Sequence, residues 1–242
     1  MKILIIGING KMGQEVANVL DNDKDIVLVG GVDKENTGIY TYPVYTNVSQ
    51  IEEKPDVIID FSVPVATLNI LSYAKENNIP VVIATTGFTK EQLNTINEYS
   101  KHIPIFKSAN MSYDINLMAK IVASLSKSLP NTDIEIIETH HNRKIDSPSG
   151  TALFLADSIN EANNNKMIYE FDRHNKREKR NKLEIGFSSI RGGNIVGEHE
   201  TLEVTHRCYS RTVFANGAVM AAKYIVNKNN GMYNMNNLIN ND

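Results

Sequence analysis

The chain has 242 residues, 28 acidic against 25 basic, and a single cysteine, Cys208. That balance lacks the basic excess needed to track a nucleic-acid backbone, and one cysteine cannot build a disulfide framework or a cysteine-based metal cluster. The length suits one large or two modest domains, and the opening M-K-I-L-I-I-G is too short an apolar run for a secretory segment or a membrane span. The expectation is a globular, cytoplasmic chain with neither nucleic-acid nor membrane partners.

Ile3 to Ile6 is a continuous apolar run, as in a strand buried on both faces of a parallel sheet. It runs into Gly7-Ile8-Asn9-Gly10-Lys11-Met12-Gly13 and then a helical pattern through Val16 and Leu20. A second strand, Ile26 to Val32, ends in Asp33 with Lys34 beside it. This is the physics of a dinucleotide site. Glycines let the backbone approach a pyrophosphate, the helix start faces it, and the acid takes the ribose hydroxyls. Asn9 stands where the commoner fingerprint has its middle glycine, and a tight turn without ligand is the plainer alternative.

Further strands are read at 56–61, 80–84 and 104–106, alternating with helices at 64–75 and 90–100. The alternation predicts a Rossmann-type, doubly wound parallel sheet, an α/β fold. Ligands lie over the carboxyl ends of such strands, so Thr85, Thr86, Ala109 and Asn110 are candidates to line the nicotinamide end; ordinary helix capping is their alternative. The helix at 114–127 carries Leu117, Met118, Ile121, Val122 and Leu125 on one face, which core packing explains.

The richest stretch is Glu138 to Leu153, E-T-H-H-N-R-K-I-D-S-P-S-G-T-A-L. A strand at 134–137 precedes it, and the loop after that strand is expected to hold His140, His141, Arg143 and Lys144. Ser147 is expected to cap the next helix with Pro148 in its first turn, leaving Ser149, Gly150 and Thr151 to offer backbone N–H groups to an anion. An anion seat thus lies beside proton-transfer groups. Adjacent histidines at a strand end point apart and no clustered carboxylate completes a shell, so no metal is expected. His102 and His206 read as packed or surface histidines.

Residues 173–182 form a basic run, read as a solvated loop or as a lid steering an anionic substrate. Strands are expected at 183–190 and 195–204 with a turn at Gly192-Gly193-Asn194, then a helix over 217–226 and a polar tail of which part docks. The clustered strands suggest an inserted α+β domain. The expected division is 1–111 plus 212–242 for dinucleotide binding and 112–211 for substrate binding and oligomerisation.

Together these motifs resemble the dihydrodipicolinate reductase family. The resemblance rests on Gly7 to Gly13, Asp60-Phe61-Ser62, Thr85-Thr86-Gly87 and Ser108-Ala109-Asn110-Met111-Ser112. It extends through E-x-H-H-x-x-K-x-D-x-P-S-G-T-A-L at 138–153, R-G-G-x-I-V-G-E-H at 191–199 and S-R-x-x-F-A-x-G-A at 210–218. It implies that His140 is the acid/base residue, that Lys144 donates a proton and holds substrate, and that His141, Gly150 and Thr151 bind substrate carboxylates. It places NADH or NADPH on Gly7, Ile8, Asn9, Gly10, Lys11, Met12, Asp33, Ala84, Thr85, Thr86, Ser108, Ala109, Asn110 and Met111. The implied reaction reduces a cyclic imine dicarboxylate in lysine and diaminopimelate synthesis, in a homotetramer. Three departures stand out: a shorter segment between Glu198-His199 and Leu202-Glu203, Tyr113-Asp114 after the A-N-x-S motif, and Val63 near the cofactor. Two rivals are another oxidoreductase on this plan, such as an amino-acid dehydrogenase, and a non-catalytic NADH-sensing module. The dicarboxylate seat argues against the first. The His140/Lys144 pair, with no effector- or DNA-binding element read, argues against the second.

Overall fold

The computed structural model describes residues 1–174, 176–201, 204–208 and 210–240, with backbone alone at 198–201 and 204–208. The chain forms two compact units, Met1–Tyr113 with Arg211–Asp242, and Asp114–Ser210.

In the first unit the elements run β1 (Lys2–Ile6), α1 (Lys11–Leu20), β2 (Val27–Val32), β3 (Val44–Tyr45), β4 (Val57–Asp60), α2 (Pro64–Asn77), β5 (Val81–Ile83), α3 (Lys90–Ser100) and β6 (Pro104–Lys107). The second unit holds α4 (Tyr113–Ser128), whose first residue belongs to the first unit, then β7 (Ile134–His140), α5 (Gly150–Ala162), β8 (Ile168–Glu170), β9 (Glu184–Arg191), β10 (Gly197–Thr201) and β11 (Val204–Cys208). The chain then returns for α6 (Thr212–Ile225), β12 (Gly231–Tyr233) and α7 (Met235–Asn240).

The first sheet is parallel throughout, in the order β12-β6-β5-β4-β1-β2-β3. Alternation along β1 explains its two buried faces. Ile3 and Ile5 pack with Val16 of α1 and Ala218 of α6, while Leu4 and Ile6 pack with Ile70 of α2 and Ile96 of α3. From β1 the chain builds one way to β2 and β3 and the other way to β4, β5 and β6, so a topological switch point lies between β1 and β4. The docked part of the tail is β12, which pairs with β6, followed by Met235 in the core. Residues 35–55, unread in the sequence, supply β3.

The second sheet has the order β11-β10-β7-β9-β8. Met118 and Val122 of α4 and Leu155 and Ile159 of α5 bury one face against Ile134, Ile136, Ile185 and Phe187. The core stripe of α4 is therefore Ile115, Met118, Ala119 and Val122, whereas Leu117 and Ile121 are exposed, contrary to the stripe drawn from sequence. Two other readings change. The single strand read at 195–204 is a hairpin, β10 and β11, whose connecting Leu202 and Glu203 lie outside the described residues, as does the side chain of His206. The glycines at 192–193 do not join hydrogen-bonded neighbours, because β7 lies between β9 and β10. They carry the chain around the end of β7: Gly192 donates to the His140 carbonyl at 2.9 Å, and His141 donates to that of Ile195 at 2.6 Å.

Three cations of the basic run are tied to their own sheet. Arg173 pairs with Glu184 at 2.7 Å, Lys176 pairs with Glu170, and Arg180 pairs with Glu135 and donates to the carbonyls of Ile134 and Glu184 at 2.6 and 2.9 Å. Among the described residues no helix is long and apolar enough to cross a membrane, and no group of three or more His, Cys, Asp or Glu could hold a metal.

Candidate active site

The glycine turn sits at the carboxyl end of β1. Gly7 has φ +80°, and a Cβ there would lie 2.7 Å from the Phe61 carbonyl oxygen, so both backbone angle and crowding demand glycine. A Cβ at Gly13 would run into the Gly7 carbonyl, so this glycine seats α1 against the turn. Gly10 caps α1 without a side-chain acceptor, which leaves the amides of Lys11, Met12 and Gly13 to a ligand or water. Asp33 stands beside the turn, accepting from the Asn9 and Lys34 amides, each at 2.8 Å. Asn9 is held by donating from Nδ2 to the Glu35 carbonyl at 2.9 Å, while its Oδ1 is buried with no partner among the described residues.

A cavity of about 980 Å³ opens here, lined by Gly7, Asn9, Gly10, Asp33 and Lys34, with Val63 and with Ser62 of the Asp60-Phe61-Ser62 motif, together with the unanticipated Asn47 and Asn69. The glycine cradle, the uncapped helix start, the acid and the orphaned Asn9 oxygen fit a dinucleotide. Ile8 offers only backbone, since its side chain is wholly buried against Gly31. Thr85 is also inward: its hydroxyl accepts from the Ser62 amide at 3.0 Å. Met111 packs in the core, whereas Ala84 is half-buried and Thr86 exposed. Ser108 donates to the Asn110 carbonyl at 2.7 Å, shaping the turn that ends in exposed Ala109.

Beneath the cavity lies Asp60, fully buried at the end of β4. Burial pushes its carboxyl up, against the hydroxyls of Ser62 and Thr67, each donating at 2.5 Å.

In the second unit β7 extends further than the sequence suggested, so His140 is its last residue rather than part of the loop. Strand alternation puts Glu138 and His140 on one buried face and turns His141 away. Glu138 is 1% exposed and takes His140 Nδ1 on Oε2 at 2.5 Å. Arg191, level with His140 on β9, reaches both oxygens, Nη1 at 2.9 Å and Nη2 at 2.8 Å, and the Ser149 amide donates to Oε1 at 3.1 Å. Burial would raise the Glu138 pKa, but donation from Arg191, Ser189 and His140 outweighs it and holds the group down at about 2. Burial lowers the His140 pKa; Glu138 opposes this, and the charges of Lys144 and Arg191 add to it.

Ser149, not Ser147, caps α5, its side chain accepting from the Ala152 amide at 3.1 Å. Pro148 therefore precedes the cap, outside the helix. Because the Ser149 amide is given to Glu138, the anion seat expected from the sequence is left with the helix start at Gly150 and Thr151, where Gly150 is exposed with open space around it. His141 Nδ1 is buried with no partner among the described residues, and Lys144 pairs with Asp146 at 2.8 Å. Sequence reasoning quoted Glu138 and Arg191 within motifs without giving either a task. The two-residue spacing of Glu138 and His140 on a strand was a usable signal; Arg191, 53 residues from Glu138, gave none.

A parallel nucleotide-binding sheet with this turn, joined in one chain to a unit bearing a buried acid/base cluster, defines a dinucleotide-dependent oxidoreductase. Residues 1–111 match the family model "Dihydrodipicolinate reductase, N-terminus" and residues 114–239 its C-terminus. The chain belongs to the dihydrodipicolinate reductase family, whose cofactor is NADH or NADPH. It is 45% identical over 247 residues to a 4-hydroxy-tetrahydrodipicolinate reductase of Clostridium novyi (strain NT), covering 98% of each chain. A protein of that name from Staphylococcus aureus (strain JH9) is 42% identical, over 98% of this chain and all of the relative. Among solved structures, dipicolinate-bound dihydrodipicolinate reductase from Paenisporosarcina sp. TG-14 superposes with TM-score 0.80 at 25% identity, over 97% of each chain. A Corynebacterium glutamicum DAP dehydrogenase, TM-score 0.55 at 12% identity over 97% of this chain and 92% of the other, shares the fold.

Proposed function

We propose that this protein reduces 4-hydroxy-tetrahydrodipicolinate, with loss of water, to tetrahydrodipicolinate in lysine and diaminopimelate synthesis, through His140, Lys144 and the start of α5. The observation carrying the residue roles is Glu138, which takes the His140 ring on one oxygen and the Ser149 amide on the other. A proton-transfer group and an anion-binding helix start are thereby held by one carboxylate.

The unit of 1–111 plus 212–242 binds the dinucleotide, and 112–211 binds substrate and supports oligomerisation. Gly7, Asn9, Gly10 and the amides of Lys11 to Gly13 hold the pyrophosphate, Asp33 the ribose diol, and Ala84 to Thr86 with Ser108 to Met111 the nicotinamide end. Bound there, the nicotinamide supplies the hydride. After water leaves the 4-hydroxy compound, the ring is a conjugated imine whose acceptor carbon is the one that carried the hydroxyl. A new C–H bond at that carbon pushes the former double-bond electrons toward nitrogen, and the neighbouring carbon then takes a proton. His140 donates it, a step histidine performs with little tuning. Lys144 restores the proton and holds one carboxylate. His141 Nδ1 and the Gly150–Thr151 turn take the other carboxylate, meeting an atom otherwise buried without a partner.

Asp33 repels a 2′-phosphate, which Lys34 offsets in part, so NADH serves at least as well as NADPH. The assembly is a homotetramer working in the cytoplasm. Its supporting feature is the open face of the second sheet, where Ile137 and Ile190 are 38% and 51% exposed. The test is NADH oxidation coupled to the upstream synthase. His140→Gln and Lys144→Ala are each expected to lower kcat by about 10²-fold or more; near-wild-type turnover in both would remove these assignments.

A further inference from the structure

We propose that Glu138 is a positioning residue for the reaction: clamped by Arg191 and the Ser149 amide, it fixes the His140 ring with hydrogen on Nδ1 and leaves Nε2 to exchange protons with substrate. This rests on the role given to His140 above. An ionised carboxylate can only accept, so the 2.5 Å contact requires the hydrogen on Nδ1, and the neutral ring then keeps its lone pair on Nε2. Three elements meet on this one side chain: β7 supplies Glu138 and His140, β9 supplies Arg191, and α5 supplies the Ser149 amide. The Arg191 fork occupies both carboxylate oxygens and prevents rotation, the geometry in which arginine pairs are most directional. Among the described residues the charges that act on the ring are Glu138 from its own strand, which favours the imidazolium, and Lys144 from the following loop and Arg191 from β9, which oppose it.

Glu138→Gln removes the favourable charge and Arg191→Gln an unfavourable one. The arm of the kcat/KM–pH profile set by His140 should therefore move to lower pH in the first variant and to higher pH in the second. Turnover in Glu138→Gln should fall by about 10- to 100-fold, the scale for outer partners that orient a working histidine, with KM for NADH little changed. A merely structural carboxylate would lower thermal stability without moving the two arms in opposite directions. Should Glu138→Gln not fold, ¹⁵N-labelled histidine in the wild-type enzyme decides the matter: the neutral His140 ring is expected to carry its hydrogen on Nδ1. Hydrogen on Nε2, or two arms that stay put or shift together, would overturn the proposal. If the wild-type enzyme fails to oxidise NADH with the cyclic diacid, the reaction itself is wrong, and the labelled-ring spectrum still reads the tautomer.

Discussion

At the scale of single residues, Gly7 and Gly13 show how little freedom the nucleotide turn has. A methyl at Gly13 would meet the Gly7 carbonyl, so α1 would have to move off the turn proposed to hold the pyrophosphate. Gly13→Ala is expected to destabilise by about 1–3 kcal/mol, the usual range for an overpacked contact, and to raise the Kd for NADH; thermal melts and NADH fluorescence titration would read both. Glu138 makes a second prediction, about acid. Its folded-state pKa is about 2, below the ordinary carboxylate range. The stability it contributes is complete above that ordinary range and is lost as pH falls through the folded value. Urea unfolding of wild type and Glu138→Gln should thus differ most near neutrality and converge toward pH 2. A gap that stayed constant with pH would show that the carboxylate is not stabilised by its partners.

At the scale of elements, the sequence was most readable where periodicity is strong and local. The apolar runs that became β1, β2, β4 and β5 needed only their own residues to be recognised, because a strand buried on both faces has no polar alternation to confuse it. Elements whose partners are distant were harder. The two-residue β3 exists because Val44 and Tyr45 add to the edge of β2, and its residues alone carry no strand pattern. The Gly192-Gly193-Asn194 turn suggested a hairpin, but a parallel β7–β9 pair takes the place beside β9 and the glycines instead wrap the His140 corner. At α5 two serines one residue either side of Pro148 could each have capped the helix, and sequence chose the wrong one; the Glu138 bond to the Ser149 amide favours the second. Ser149→Ala should cost about 1 kcal/mol, read as a lower Tm. It should also raise KM for the diacid more than that for NADH, since the seat it organises is the one proposed for substrate.

At the scale of the whole molecule, composition bears on the class of partner and says little of the assembly. A near-neutral chain with a dinucleotide turn points to small anionic ligands, whereas the number of copies depends on surfaces that local patterns do not mark. On β7 and β9 the residues facing away from α4 and α5 include Ile137 and Ile190, apolar where solvent would favour charge. Ile190→Arg is expected to shift the proposed tetramer to smaller species in sedimentation velocity. An unchanged distribution would place the interface elsewhere. The central claim concerns where two hydrogens go. Run in deuterated water with ordinary NADH and the upstream synthase, the reaction should give a product with protium from NADH at the carbon that lost its hydroxyl and deuterium at its neighbour, and His140→Gln should slow the appearance of both. Product with solvent deuterium at the first carbon, or formed at an undiminished rate by the variant, would contradict the account.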